Sequence, residues 1–150
     1  MTQWKPNATV AAIIERDGRF LLVEEQTKQG IRFNQPAGHW EYGESLQQAV
    51  IRETQEETGW LVEPYALLGI YTAPAAEQCT YLRFAFLCRP ITETVNATLD
   101  DGIIAAHWLT LEQIRACQSQ HRSHIVLQCV EDALAGKHYP LSLIQEFPPC

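Results

Sequence analysis

The chain has 150 residues, a net charge of −7 and 46% hydrophobic residues, which suits one folded domain over residues 1–150 with a full core and excludes a disordered polymer. No apolar run approaches the ~20 residues that a membrane span needs. An acidic chain with no basic patch is a poor partner for a nucleic acid polymer, although metal ions would let it take a small anionic substrate.

The first ten residues, MTQWKPNATV, have no basic stretch followed by an apolar one, so no secretory signal is read there. Asn7 to Glu15 is rich in β-branched residues and predicts a strand. Asp17-Gly18 predicts a hairpin turn, and Phe20 to Glu25 the return strand. Residues 26–30 read as a polar loop, and Ile31 to His39 as an extended stretch ending in a Pro/Gly turn. Ser45 followed by Gln48 is a capping box, and Gly59 sits where a helix C-terminal glycine belongs, so a helix is expected over Leu46–Thr58. Two strands follow, Leu61–Ala73 and Cys79–Cys88, then a polar connection from Ile91 to Gly102 and a strand at Ile103–Leu109. Thr110 with Gln113 opens a second helix to about Cys117, and Ser123 to Gly136 reads as a last one. The whole predicts an α+β domain: a mixed sheet with helices packed on it. Five scattered cysteines with no C-x-x-C pair argue against zinc and a disulfide framework, and for reduced thiols in a cytoplasmic protein.

The helix at Leu46–Thr58 carries an anomaly. With Leu46 at zero and 100° per residue, Ala49 and Val50 define a buried side, and Glu53 and Glu57 fall within about 20° of it. Glu56 lies about 60° to one side of Glu53. Like charges at this spacing repel. Carboxylates aimed at an interior must be paired or bind metal, and Arg52 alone cannot neutralise Glu44, Glu53, Glu56 and Glu57. An all-oxygen set suits magnesium or manganese.

These residues carry a resemblance. Gly38, Glu44, Arg52, Glu53, Glu56, Glu57 and Gly59 fill every fixed place of the Nudix box, in its order and spacing, with Thr54 departing at an apolar place and bulky Trp60 at the last. Resemblance to the Nudix hydrolases implies an α/β/α sandwich around a central mixed sheet and Mg2+-dependent cleavage of phosphoanhydride bonds, with Mn2+ able to substitute. It implies Glu53, Glu56 and Glu57 as metal ligands with the Gly38 carbonyl, Arg52 as the residue holding one of the glutamates, and Glu44 as an indirect or water-mediated contact. The general base falls to Glu57 or Glu56, with Asp100 and Asp101 as second choice against a solvated turn. Arg32 and Arg83 are candidate substrate cations, with an edge-facing charge as the equal alternative for an arginine in an apolar strand. The short pieces Asn34–His39, Leu82–Phe84, Arg122-Ser123 and Tyr139–Leu141 resemble a phosphatase branch of the family, implying nucleoside di- and triphosphates, thiamine pyrophosphate or hydroxymethylpyrimidine pyrophosphate as substrates, with release of phosphate. The alternatives are an ADP-ribose or nucleotide-sugar pyrophosphatase, for which Pro74 is a weak mark, and a non-catalytic Nudix-like binding module. A monomer or homodimer is expected.

Overall fold

The structure is a computed structural model that describes residues 2–148 and 150. β1 (Asn7–Arg16) and β2 (Arg19–Thr27) form the expected hairpin. Asp17 and Gly18 both take positive φ, 52° and 77°, which matches the twist of the two strands. The polar loop expected at 26–30 shrinks to a tight turn, because Gln26 and Thr27 pair with Ile31 and Gly30 of β3 (Gly30–Asn34). β4 (Ala37–His39) then pairs antiparallel with Thr9 to Ala11 of β1.

Helix α1 covers Leu46–Thr58, the bounds expected from the sequence. Ser45 and Gln48 make both bonds of the capping box, and Gly59 closes the helix at φ 77°. Thr54, out of place by pattern, is fully buried, and its hydroxyl donates to the Val50 carbonyl at 2.7 Å. A satisfied hydroxyl costs little in a core, so threonine serves where an apolar residue was expected.

β5 (Trp60–Pro74) and β6 (Thr80–Glu93) are antiparallel and longer than expected. β6 runs past Cys88 because β5 continues beside it down to Trp60, opposite Glu93. β7 (Ile103–Thr110) pairs with β2, and α2 (Leu111–Ala116) starts at the predicted Thr110 capping box. After a 3-10 turn at Gln118–Gln120 comes α3 (Ile125–Leu134), with a second such turn at Leu141–Leu143.

The central path β4–β1–β6–β5 is mixed, since β1 and β6 run parallel and the other pairs antiparallel. β2 joins it to β3 and β7. Alternation along β1 sends Val10, Ala12 and Ile14 to a cluster with Leu46, Val50 and Phe86, while Ile13 joins Leu22, Leu87, Val126 and Val130. α1 thus covers one face and α3 with α2 the other, the layered arrangement of a Nudix fold.

Beyond α3 the chain crosses from one face to the other. Tyr139 exchanges backbone hydrogen bonds with Leu67 of β5 at 2.7 and 2.9 Å. Leu141 and Ile144 pack on the α1 side, and a Glu146 carboxylate oxygen accepts the Leu46 N–H at 2.7 Å.

Candidate metal and active site

The buried stripe of α1 begins with Leu46, Ala49 and Val50 and continues into Glu53 and Glu57, which are 9% and 8% exposed. Glu53 lies against the backbone at Gly38, where a Cβ would overlap its carboxylate. Only glycine permits that approach. Glu57 is held by the neighbouring residue, since its Oε1 accepts the Ala37 N–H at 2.8 Å. Pairing of β4 with β1 fixes both backbone positions.

Arg52 is the hub. It grips Glu44 through Nε and Nη2 at 3.0 and 2.8 Å, and its Nη1 reaches Glu53 at 2.8 Å and Glu56 at 3.2 Å. Nη2 also donates to the His39 carbonyl at 3.1 Å. The bond to Glu44, opposed by burial and then reinforced by Glu53, keeps Arg52 firmly protonated. Glu44 is held below the usual carboxylate range by Arg52, against a smaller effect of burial. It therefore anchors the arginine.

The other carboxylates shift the opposite way. Burial raises the Glu53 pKa, outweighing the bond and charge of Arg52, and Glu56 and Asp100 add to the rise. Burial pushes Glu57 up to about 8, against the pull of the Ala37 N–H and with the charges of Glu53, Glu25 and Asp100 behind it. These are carboxylates short of positive charge.

Asp100 arrives from the connection before β7. Its N–H donates to the Glu56 carbonyl at 3.0 Å, and carboxylate oxygens of Glu53, Glu56 and Asp100 lie within 4.8 Å of one another. The solvated-turn expectation therefore divides. Asp101 is an exposed turn residue, whereas Asp100 belongs to the acidic cluster. The Glu57 carboxylate adjoins this set without being one of the three.

The two candidate substrate cations part company with expectation. Arg32 Nη1 donates to its own neighbour, the Ile31 carbonyl, at 2.8 Å. Arg83, expected either to reach the cleft or to stand as an edge-facing charge, does neither: it is 7% exposed and lies on the α3 side, where its strand neighbours Ala85 and Leu87 join the other core cluster. Its guanidinium is engaged with Gln35, Asn34 and Cys129. The alternation of β6 sets this side. A cation in an apolar run is as readily a buried hydrogen-bonding group as an outward charge.

Sequence reasoning also passed over Glu25, one of the charges acting on Glu57 and itself paired with Arg122 at 2.8 Å. Period-two spacing from the buried Leu21 and Val23 was the available signal. His39 is the exposed last residue of β4, and Tyr71 spends its hydroxyl on Asp132 at 2.7 Å.

A cleft of about 690 Å3 lies elsewhere, between Tyr65, Arg89, Leu87, Lys137 and Tyr139. Cavity size does not mark the site; the carboxylate geometry does. That donor set is all oxygen, clustered and served by one guanidinium, and it fits magnesium or manganese.

Comparison with known proteins agrees. The NUDIX domain model matches residues 4–129. Phosphatase NudJ of Escherichia coli strain K12 is 33% identical over 144 residues, covering 96% of this chain and 94% of that protein. A NUDIX hydrolase from Nitrosomonas europaea superposes with a TM-score of 0.92 at 48% identity, over 95% of this chain and 98% of that one. An ADP-ribose pyrophosphatase from Streptococcus suis shares the fold at 20% identity and a TM-score of 0.66, over 90% and 96% of the two chains. With the box complete and its carboxylates gathered beside one arginine, the chain belongs to the Nudix hydrolases.

Proposed function

We propose that the protein is a Mg2+-dependent phosphatase, one Nudix domain over 1–150, that removes phosphate from small pyrophosphate compounds. The substrates in this reading are nucleoside di- and triphosphates or a thiamine-type pyrophosphate, such as thiamine pyrophosphate or its hydroxymethylpyrimidine pyrophosphate precursor. One observation carries it: Glu53, Glu56 and Asp100 converge within 4.8 Å, with Arg52 as guanidinium partner of the two glutamates. Likeness to a phosphatase over nearly the whole chain supports the release of phosphate. Five cysteines without a disulfide suit the cytoplasm.

In this reading Glu53, Glu56 and Asp100 hold the ion, with the Gly38 backbone beside Glu53 and Glu57 next to the set. A divalent ion there supplies charge neutralisation of the phosphate oxygens and acidifies bound water. Arg52 keeps Glu53 and Glu56 aimed at one place and is itself fixed by Glu44. Glu57 has one oxygen tied to the Ala37 N–H, leaving the other to accept the proton from the attacking water. The terminal phosphoanhydride bond breaks, and a nucleoside diphosphate yields the monophosphate and inorganic phosphate.

The test is a panel of nucleoside diphosphates, thiamine pyrophosphate, hydroxymethylpyrimidine pyrophosphate and ADP-ribose at equal concentration with magnesium, read by phosphorus NMR. Inorganic phosphate should appear from the first three classes and vanish with excess chelator. Efficient conversion of ADP-ribose to AMP, with negligible phosphate from the others, would move the assignment to the ADP-ribose branch.

A further inference from the structure

Between β3 and β4 the chain has to turn while delivering two backbone groups to the carboxylates, the Ala37 N–H to Glu57 and the Gly38 backbone to Glu53. Gln35 and Pro36 lie outside both strands. Proline offers no N–H, so sheet pairing cannot hold this turn by itself. The Pro36 carbonyl accepts from Ala12 N at 2.9 Å. The rest of the restraint comes from a side chain on another strand. Arg83 Nη1 donates to Gln35 Oε1 at 2.8 Å, and Nη2 to Asn34 Oδ1 at 2.9 Å. Gln35, 1% exposed, passes the restraint on by donating to the Val126 carbonyl of α3 at 2.8 Å.

A buried guanidinium costs several kcal/mol of lost hydration, and amide acceptors return less than a carboxylate would. Its side-chain contacts, Asn34, Gln35 and Cys129, are all neutral groups. Arginine nevertheless offers something lysine lacks, a planar fork that fixes two acceptors in one geometry. Here the two acceptors are consecutive residues, separated by Pro36 alone from the residues that meet Glu57 and Glu53.

We propose that Arg83 is a positioning residue of the metal site: its fork locks Asn34 and Gln35, and so sets the Ala37 N–H against Glu57 and Gly38 against Glu53. The inference rests on reading the α1 carboxylates as the magnesium site. It separates Arg83 from substrate binding, since its reach is spent inside the loop and against α3.

The test compares wild type with Arg83→Lys, Arg83→Met and the milder Asn34→Ala. Three quantities are read: hydrogen exchange of the Ala37 and Gly38 amides without metal, Mn2+ binding by electron paramagnetic resonance, and kcat and KM at saturating metal. Both Arg83 variants should speed exchange and weaken Mn2+ binding by about 10- to 100-fold, the usual effect of losing a partner that orients metal ligands. KM at saturating metal should stay near wild type, and lysine should not rescue. Asn34→Ala, which cuts one arm of the fork, should move exchange and affinity the same way by less, and decides the matter if an Arg83 variant fails to fold. Unchanged exchange and Mn2+ affinity would overturn the inference, as would a raised KM that Arg83→Lys restores. If wild type bound Mn2+ and the variants bound it equally, this inference alone would fall. If wild type bound none, the metal reading would fall with it.

Discussion

Asp132 in α3 and Glu57 in α1 are carboxylates that end the buried stripes of helices on opposite faces of one sheet, with 7% and 8% of their surfaces exposed. Their chemistry diverges. Asp132 accepts from the Tyr71 hydroxyl and from Gln128 and faces Lys137 at 3.2 Å, in a shallow position under that lysine. Burial works against its charge, but those bonds outweigh it and lower its pKa. Glu57 has one backbone N–H and a ring of other carboxylates, and burial raises its pKa to about 8. Similar surface exposure therefore says little about a carboxylate; what matters is its depth and whether its partners come from the chain. Around Asp132 they do. Around Glu57 the chain leaves the charge short.

The contrast breaks most directly by neutralising the α1 carboxylates. Glu53→Gln and Glu57→Gln should each lower kcat by about 10²- to 10⁴-fold while circular dichroism shows an intact fold. Near-normal turnover in either variant would remove that residue from the machinery.

A pH titration of stability sharpens it. The Glu57 carboxyl holds its proton more tightly folded, near pH 8, than unfolded, near 4.5. Its contribution to stability is thus full below pH 4.5 and lost as pH rises through about 8. The metal-free protein should melt lower at pH 8.5 than at pH 6, and Glu57→Gln should flatten that fall. Asp132 has the reverse sign: with its folded pKa lowered, its contribution is present above the unfolded value of 3.8 and lost as pH falls through the folded one. Magnesium at about 100 times its dissociation constant should return about 2.7 kcal/mol at the higher pH, read as a rise in Tm. A melting temperature indifferent to both pH and magnesium would contradict the assignment.

The smallest effect belongs to the satisfied side. Tyr71→Phe removes one bond to Asp132 and should cost about 1 kcal/mol in denaturant unfolding, with kcat unchanged. Lost activity with unchanged stability would place that network in catalysis.

What the sequence disclosed followed from range. The bounds of α1 were readable because Ser45, Gln48 and Gly59 act on neighbours, and the stripe of Glu53 and Glu57 follows from periodicity alone. Asp100 was weighed and set second, since nothing local distinguishes it from Asp101; its place depends on a backbone bond to Glu56, in a different element. Arg83 stayed open between a reach into the cleft and an edge-facing charge because an apolar strand with cores on both faces has no alternation to show which way a cation points. The extra length of β6 came from its partner strand, a fact about β5.

One bond in the fold also has a history in time. α1 has no acidic residue in its first turn, and the carboxylate that meets its Leu46 N–H belongs to Glu146, a hundred positions downstream. Synthesis runs from the N-terminus, so the ribosome releases the glutamates of α1 well before the group that closes the helix's opposite end. Until residue 146 emerges, the nascent chain carries a crowded set of negative charges on a helix whose first turn has its capping box but not the bond to the Leu46 N–H. The residues of the site, from Gly38 to Asp100, are therefore made before the side chain of Glu146, which adds its bond at the head of α1 only once it has followed them out of the exit tunnel.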